Sequence, residues 1–166
     1  IDFKDSVSAK RNLGGGVLLE LSHEIDYAIF LFGGLRLFKS KLRSSIELGL
    51  EVEDIADLIL EDNFGALINI HLNMVQKAPS RKCRILGSKG KLEWDLLEDK
   101  ITVENEKGLA IIHDSNNWDK NNAYIDMIRA FTSKTTSNRT KIATLEEGIE
   151  VLRLIEEVKK QNESTT

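Results

Sequence analysis

The sequence is short of the residues that announce several common classes of protein. One cysteine in 166 residues, Cys83, excludes an internal disulfide, suits a reducing, cytoplasmic location and reads as an ordinary strand residue. No apolar run reaches the about 18 residues that cross a bilayer, so no membrane partner is expected. The amino-terminal stretch lacks the layout of a secretion signal. Basic residues, 23 against 27 acidic, are neither in excess nor interleaved with aromatics, and the formal charge of −4 argues against a nucleic-acid partner. The 3 histidines form no H-x-x-x-H or H-E-x-x-H, which counts against a metallohydrolase using Glu20, His23 and a second histidine; no metal site is expected. No G-x-G-x-x-G follows an apolar strand, and no internal repeat is present.

What is there is globular: 41% hydrophobic and 30% charged residues, enough length for one domain over 1–166 with a real core. The chain begins at Ile1 in mid-pattern and without methionine, which suggests a piece of a longer protein; tag removal or processing would look the same.

The organising stretch runs from Gly14-Gly15-Gly16 into Val17–Phe32 and stops at Gly33-Gly34. Its period predicts one helix of about five turns with a glycine C-cap. Leu18, Leu21, Ile25, Ala28/Ile29 and Phe32 share one face; Glu20, His23 and Asp26/Tyr27 line another. Two readings of that second stripe stand side by side. Glu20 and Asp26 flank His23 in an ordinary surface network, or His23 is a general acid/base or substrate ligand oriented by a carboxylate one turn away. A glycine run entering a helix lets backbone approach a ligand and presents free N–H groups, so Gly15 and Gly16 are candidate substrate contacts beside Glu20 and Asp26.

Beyond the helix, Leu35–Leu50 and Val52–Leu60 read as strands, with Asp62-Asn63-Phe64-Gly65 as a turn. In Ala66–Met74, Ala66, Ile68, Ile70, Leu72 and Met74 alternate with Leu67, Asn69, His71 and Asn73. The second set suits a wet sheet face or a ligand cleft, which makes His71 a further candidate substrate contact. Lys82–Leu86 and Lys91–Asp95 form a hairpin about Gly87-Ser88-Lys89-Gly90, which lacks the spacing and helix of a phosphate loop. Short strands follow at Ile101–Glu104 and Leu109–His113. Asn121–Ser133 places Tyr124, Ile128 and Phe131 at helical spacing, and Ser133–Thr140 is a polar loop. Thr144-Leu145-Glu146-Glu147 is a capping box opening a last helix with Ile149, Leu152 and Ile155 alongside Val151, Leu154 and Val158. The expected fold is therefore α+β: a largely antiparallel, open-faced sheet of about six strands with helices on one face. The uncovered face meets water or a second subunit, so a homo-oligomer through the sheet is expected.

Four stretches taken together resemble the C-terminal domain of the Gfo/Idh/MocA family of NAD(P)-dependent oxidoreductases: Gly14–Gly16 with Leu19-Glu20-Leu21-Ser22-His23-Glu24-Ile25-Asp26; Val52-Glu53-Asp54-Ile55-Ala56; Ile85-Leu86-Gly87-Ser88-Lys89-Gly90-Lys91-Leu92; and Leu145-Glu146-Glu147-Gly148. Their order and spacing agree over nearly the whole chain. The resemblance implies a two-domain enzyme that moves a hydride between a nicotinamide and a sugar, sugar nucleotide or polyol. A separate Rossmann domain would bind NAD or NADP and carry a Glu-Lys-Pro lysine, neither of which is in this sequence. This chain would supply the substrate pocket, the oligomerisation sheet and, at His23, the family's active-site histidine. The family's commoner aspartate four residues before that histidine is Leu19 here, with Glu20 one place later. No cofactor is expected on this chain by itself, and no dehydrogenase activity. The competing reading is a non-enzymatic binding or dimerisation module of the same fold.

Overall fold

A computed structural model describes residues 3–115, 119, 121–133 and 142–163. The chain divides into two compact units, Ile1–Gln76 with Ala143–Thr166 and Lys77–Ile142.

In the first unit, three short 3-10 turns between Phe3 and Leu13 lead to α1 (Val17–Glu20) and α2 (Ser22–Phe32). Three antiparallel strands follow, β1 (Arg36–Arg43), β2 (Ile55–Glu61) and β3 (Leu67–Asn73), in spatial order β1-β2-β3. Period-two patterning sends Ala56, Leu58 and Leu60 of β2 and Leu72 of β3 into the core, as the alternation predicts. They meet Val17, Leu18 and Ile25 from α1 and α2, and Val151, Leu154, Ile155 and Val158 from the last helix. All the helices of this unit thus cover one sheet face. Fully burying an aliphatic side chain of this kind stabilises by about 1.5–3 kcal/mol, so this cluster holds the unit together.

Two details depart from the sequence reading. The five-turn helix is two helices: at Leu21 the backbone leaves the helical region (φ −106°, ψ 26°). The start of α1 is bound from outside, whereas the direction of α2 is set by Ile25 and Ala28 in the core, and Leu21 takes up the difference. The strand expected over Leu35–Leu50 ends at Arg43, because wholly buried Asp54 pulls in the following loop by accepting the N–H (2.8 Å) and hydroxyl of Ser45. That also delays β2 to Ile55.

The last helix of the chain, Leu145–Glu163, opens on the expected capping box: Glu147 N–H donates to Thr144 Oγ1 (3.2 Å) and Thr144 N–H to Glu147 Oε2 (2.6 Å). Its buried stripe is Val151, Leu154, Ile155 and Val158, leaving Ile149 and Leu152 outside. At its far end Gln161 Oε1 accepts the N–H of Ser40 (2.6 Å) and Asn162 Oδ1 that of Leu42 (2.9 Å). These two side chains close the outer edge of β1, where a row of unpaired donors would otherwise stand open.

The second unit is a four-stranded antiparallel meander, β4 (Lys82–Gly87), β5 (Gly90–Asp95), β6 (Lys100–Asn105) and β7 (Gly108–Asp114). Gly87 pairs with Gly90 around Ser88-Lys89, the expected hairpin, and Gly90 must be glycine because its φ is +141° and a side chain there would overlap the Glu104 carbonyl. One face carries a cross-strand charge lattice: Lys82–Asp95 (2.9 Å), Arg84–Glu93 (2.7 Å) and Lys91–Glu104 (2.8 Å). The other carries Ile85, Leu92, Trp94, Ile101 and Val103. The helix α3 (Asn121–Thr132) forms as predicted, but its Tyr124, Ile128 and Phe131 stripe is exposed. In chain order the Leu145–Glu163 helix is α4. The fold is α+β, and the described residues hold seven strands in two antiparallel sheets. The polar loop expected at Ser133–Thr140 falls, after Ser133, outside the described residues.

Candidate functional site

Of the residues singled out by the sequence, Gly15, Gly16, Glu20, His23 and Asp26 lie along the glycine run and the α1–α2 pair, and the backbone there explains the three glycines. Gly14 N–H donates to Arg11 O, Gly15 N–H to Lys10 O and Gly16 N–H to Ser8 O. Val17 N–H donates to Glu53 O (2.9 Å) and Leu18 N–H to Glu53 Oε1 (3.4 Å). Free N–H groups were the expectation for this run; the structure spends all five inside the protein. Glycine is required here for close approach. A side-chain carbon on Gly15 would lie 2.6 Å from the Ser8 carbonyl oxygen, and one on Gly16 would overlap the Glu53 carboxylate.

Glu20 does not turn to His23. Its Oε2 accepts the Ser8 hydroxyl at 2.8 Å, tying the amino-terminal segment to α1. Asp26 is half-buried one turn beyond His23, and among the described residues no hydrogen bond or ion pair joins the two. The carboxylate that meets His23 is Glu24: Nε2 lies 3.1 Å from Oε1, with the histidine half exposed and the Glu24 side chain only 13% exposed. Adjacent helix positions ordinarily diverge, so spacing gave no sign of this pair. The contact is within ion-pair distance, so Glu24 is placed to stabilise a protonated His23 ring at Nε2.

His71 lies elsewhere. It stands on the open face of the three-stranded sheet, opposite Asp57, with Nδ1 2.6 Å from Asp57 Oδ1 and Nε2 3.1 Å from Asn73 Nδ2. Since α2 packs on the other face, the sheet separates His23 from His71, and the two do not share a site. The third histidine, His113, also has a carboxylate partner, Asp99, at 3.3 Å. Pairing alone therefore does not single out a histidine. Among the described residues no group of three His, Cys, Asp or Glu could hold a metal ion. Nor does the glycine run fit a dinucleotide, because its donors are already taken.

Residues 6–166 match the family model for the C-terminal alpha/beta domain of the GFO_IDH_MocA oxidoreductase family. The chain belongs to the Gfo/Idh/MocA family, as its C-terminal domain. Solved structures of similar fold include an NAD binding oxidoreductase from Klebsiella pneumoniae, with TM-score 0.77 and 14% identity over 97% of this chain and 52% of that one. A UDP-N-acetylglucosamine 3-dehydrogenase from Acidithiobacillus ferrooxidans gives 0.71 and 18% over 95% and 50%. An inositol dehydrogenase homolog complexed with NAD+ from Azotobacter vinelandii gives 0.67 and 17% over 89% and 46%. At these identities the similarity shows the fold, and the chain spans about half the length of the structures it matches. A search of curated proteins by sequence finds no match. Among the described residues no helix of the Gfo/Idh/MocA domain is long and apolar enough to cross a membrane.

Proposed function

We propose that this Gfo/Idh/MocA domain is the substrate-binding half of an NAD(P)-dependent oxidoreductase acting on a sugar, sugar nucleotide or polyol. The observation that carries the reading is the His23–Glu24 pair at the start of α2, which follows the clamped glycines through the single turn of α1. Relatives of the same fold named as a UDP-N-acetylglucosamine 3-dehydrogenase and an inositol dehydrogenase homolog support hydroxyl-rich substrates. Because the N–H groups of the glycine run are already taken, that run is no cradle for a dinucleotide, and the cofactor would be held by residues outside this chain.

Oxidising a secondary alcohol removes the hydroxyl proton, and His23 is the group suited to take it. Nδ1 accepts the proton, and the imidazolium that forms is stabilised by the Glu24 carboxylate at Nε2. In the reverse direction the same ring returns the proton to the alkoxide. Glu20 and Asp26 lie within a turn on either side and would orient other substrate hydroxyls. Positioned proton transfer of this kind contributes about 10²–10⁴-fold, so His23→Ala in the full-length protein should lose about 10²-fold or more in turnover. A near-normal rate would reduce His23 to a packing residue and favour the binding-module reading. The 166-residue chain alone should turn over no NAD(P)H.

A further inference from the structure

Glu53, 30 residues from His23 in sequence, holds the start of the helix pair that carries it. Its carbonyl accepts Val17 N–H at 2.9 Å, and its Oε1 accepts Leu18 N–H at 3.4 Å. Its carboxylate fills the space a side chain on Gly16 would need, and the Gly16 φ of +115° is one only glycine adopts without strain. The Val7 and Ser8 carbonyls fill the space a side chain on Gly15 would need, and the Ser8 hydroxyl reaches Glu20. Glu53 is itself fixed by its neighbour Asp54, which is wholly buried and bonded to Ser45.

A helix of four residues cannot sustain itself, since nucleation costs more than one turn of hydrogen bonds returns. The partners of α1 therefore decide where it begins and in which direction it leads. Only Leu21 and Ser22 separate the last residue of α1 from His23, so the path from the clamp to the imidazole is short and without slack. A carboxylate at the amino-terminal end of the turn is also favoured by the backbone dipoles.

We propose that Glu53 is a positioning residue for His23: by clamping Gly16–Leu18 it fixes the bend at Leu21 and keeps the ring against Glu24. The inference rests on the reading of His23 as the acid/base group, but its first readout does not involve turnover. Without the carboxylate, Leu18 N–H loses its acceptor, the glycine turn loosens and His23 samples orientations away from Glu24.

The test is NMR on the 166-residue chain, following amide exchange over Leu18–Leu21 and the ring resonances of His23. Glu53→Ala should speed exchange there about tenfold and move the His23 ring peaks, while β4–β7 amides stay as they are. Glu53→Gln, whose Oε1 still accepts, should restore both. Glu53→Asp, which keeps the charge beside Asp54 but is one methylene too short for Leu18, should behave as the alanine variant and guards against a simple folding failure. Unchanged His23 peaks in folded Glu53→Ala or Glu53→Asp, or a Glu53→Gln variant indistinguishable from Glu53→Ala, would overturn the proposal. In the full-length enzyme the alanine variant should lower kcat about tenfold at little change in KM. If His23→Ala leaves turnover intact, the acid/base reading falls, while the exchange measurement still decides the clamp.

Discussion

His23 Nε2 faces Glu24 Oε1 at 3.1 Å, its neighbour in sequence, while Glu20, one helical turn back, is held by the Ser8 hydroxyl. The carboxylate that matters for the imidazole is the one that spacing arguments pass over. Glu24→Gln, which can still bond Nε2 but cannot stabilise an imidazolium, should slow the full-length enzyme about tenfold, and Glu20→Gln should have a smaller effect. Steady-state rates of the two variants side by side check the assignment. A larger loss for Glu20→Gln would return the role to the residue that sequence spacing favours.

Much of this arrangement was legible in residue order. The capping box at Thr144 and Glu147, the Gly33 helix stop, the Gly87–Gly90 hairpin and the alternation of β3 are local signals with local causes, and each appears where expected. The rest depends on contacts between residues far apart in the chain. Leu21 breaks its helix because Glu53 and Ser8 hold one end and the core holds the other. Gln161 and Asn162 read as a polar tail, yet bond Ser40 and Leu42 across about 120 residues. The alternation of β3 does not show that His71 lies on the far face of the sheet from α2, paired with Asp57.

Those edge-closing bonds predict a stability effect far from the site. Asn162→Ala removes the acceptor of Leu42 N–H and the donor to Ser40 Oγ. About 1–2 kcal/mol should be lost, as for one or two net hydrogen bonds, in a urea titration with unchanged m-value. No loss in midpoint would mean that water replaces the side chain at no cost.

The charge lattice on β4–β6 gives a pH dependence with a definite sign. The Arg84 guanidinium holds the Glu93 carboxyl below its ordinary range, and Lys82 does the same for Asp95. Asp95 in turn raises Lys82, and Glu104 raises Lys91. The depressed acids contribute stability above about pH 4, lost as pH falls through their folded values. The raised lysines contribute below about pH 10, lost as pH rises through theirs. Being exposed, these pairs should give a shallow, salt-sensitive dependence, seen as a plateau in melting temperature from about pH 5 to 10. Glu93→Gln should flatten the acid limb; an unaltered limb in that variant would show that other carboxylates set it.

The open face of the β1–β3 sheet carries Lys39, Lys41, Asp57, Asn69 and His71 together with Ile59 and exposed Leu67, and among the described residues no helix of its unit covers it. We expect two copies to meet there. Light scattering after size exclusion should give a dimer at micromolar concentration that Lys41→Glu, adding a like charge beside Asp57, weakens at least tenfold. A monomer at that concentration in the unaltered protein would remove the sheet face as an interface.

The central claim is that His23 serves as acid/base in an NAD(P)-dependent oxidation. Its most direct test is dinucleotide reduction by the full-length gene product and its His23→Ala variant, with UDP-N-acetylglucosamine and myo-inositol as first substrates. The account predicts turnover that falls by about 10²-fold or more in the variant. Equal rates in the two proteins would contradict it.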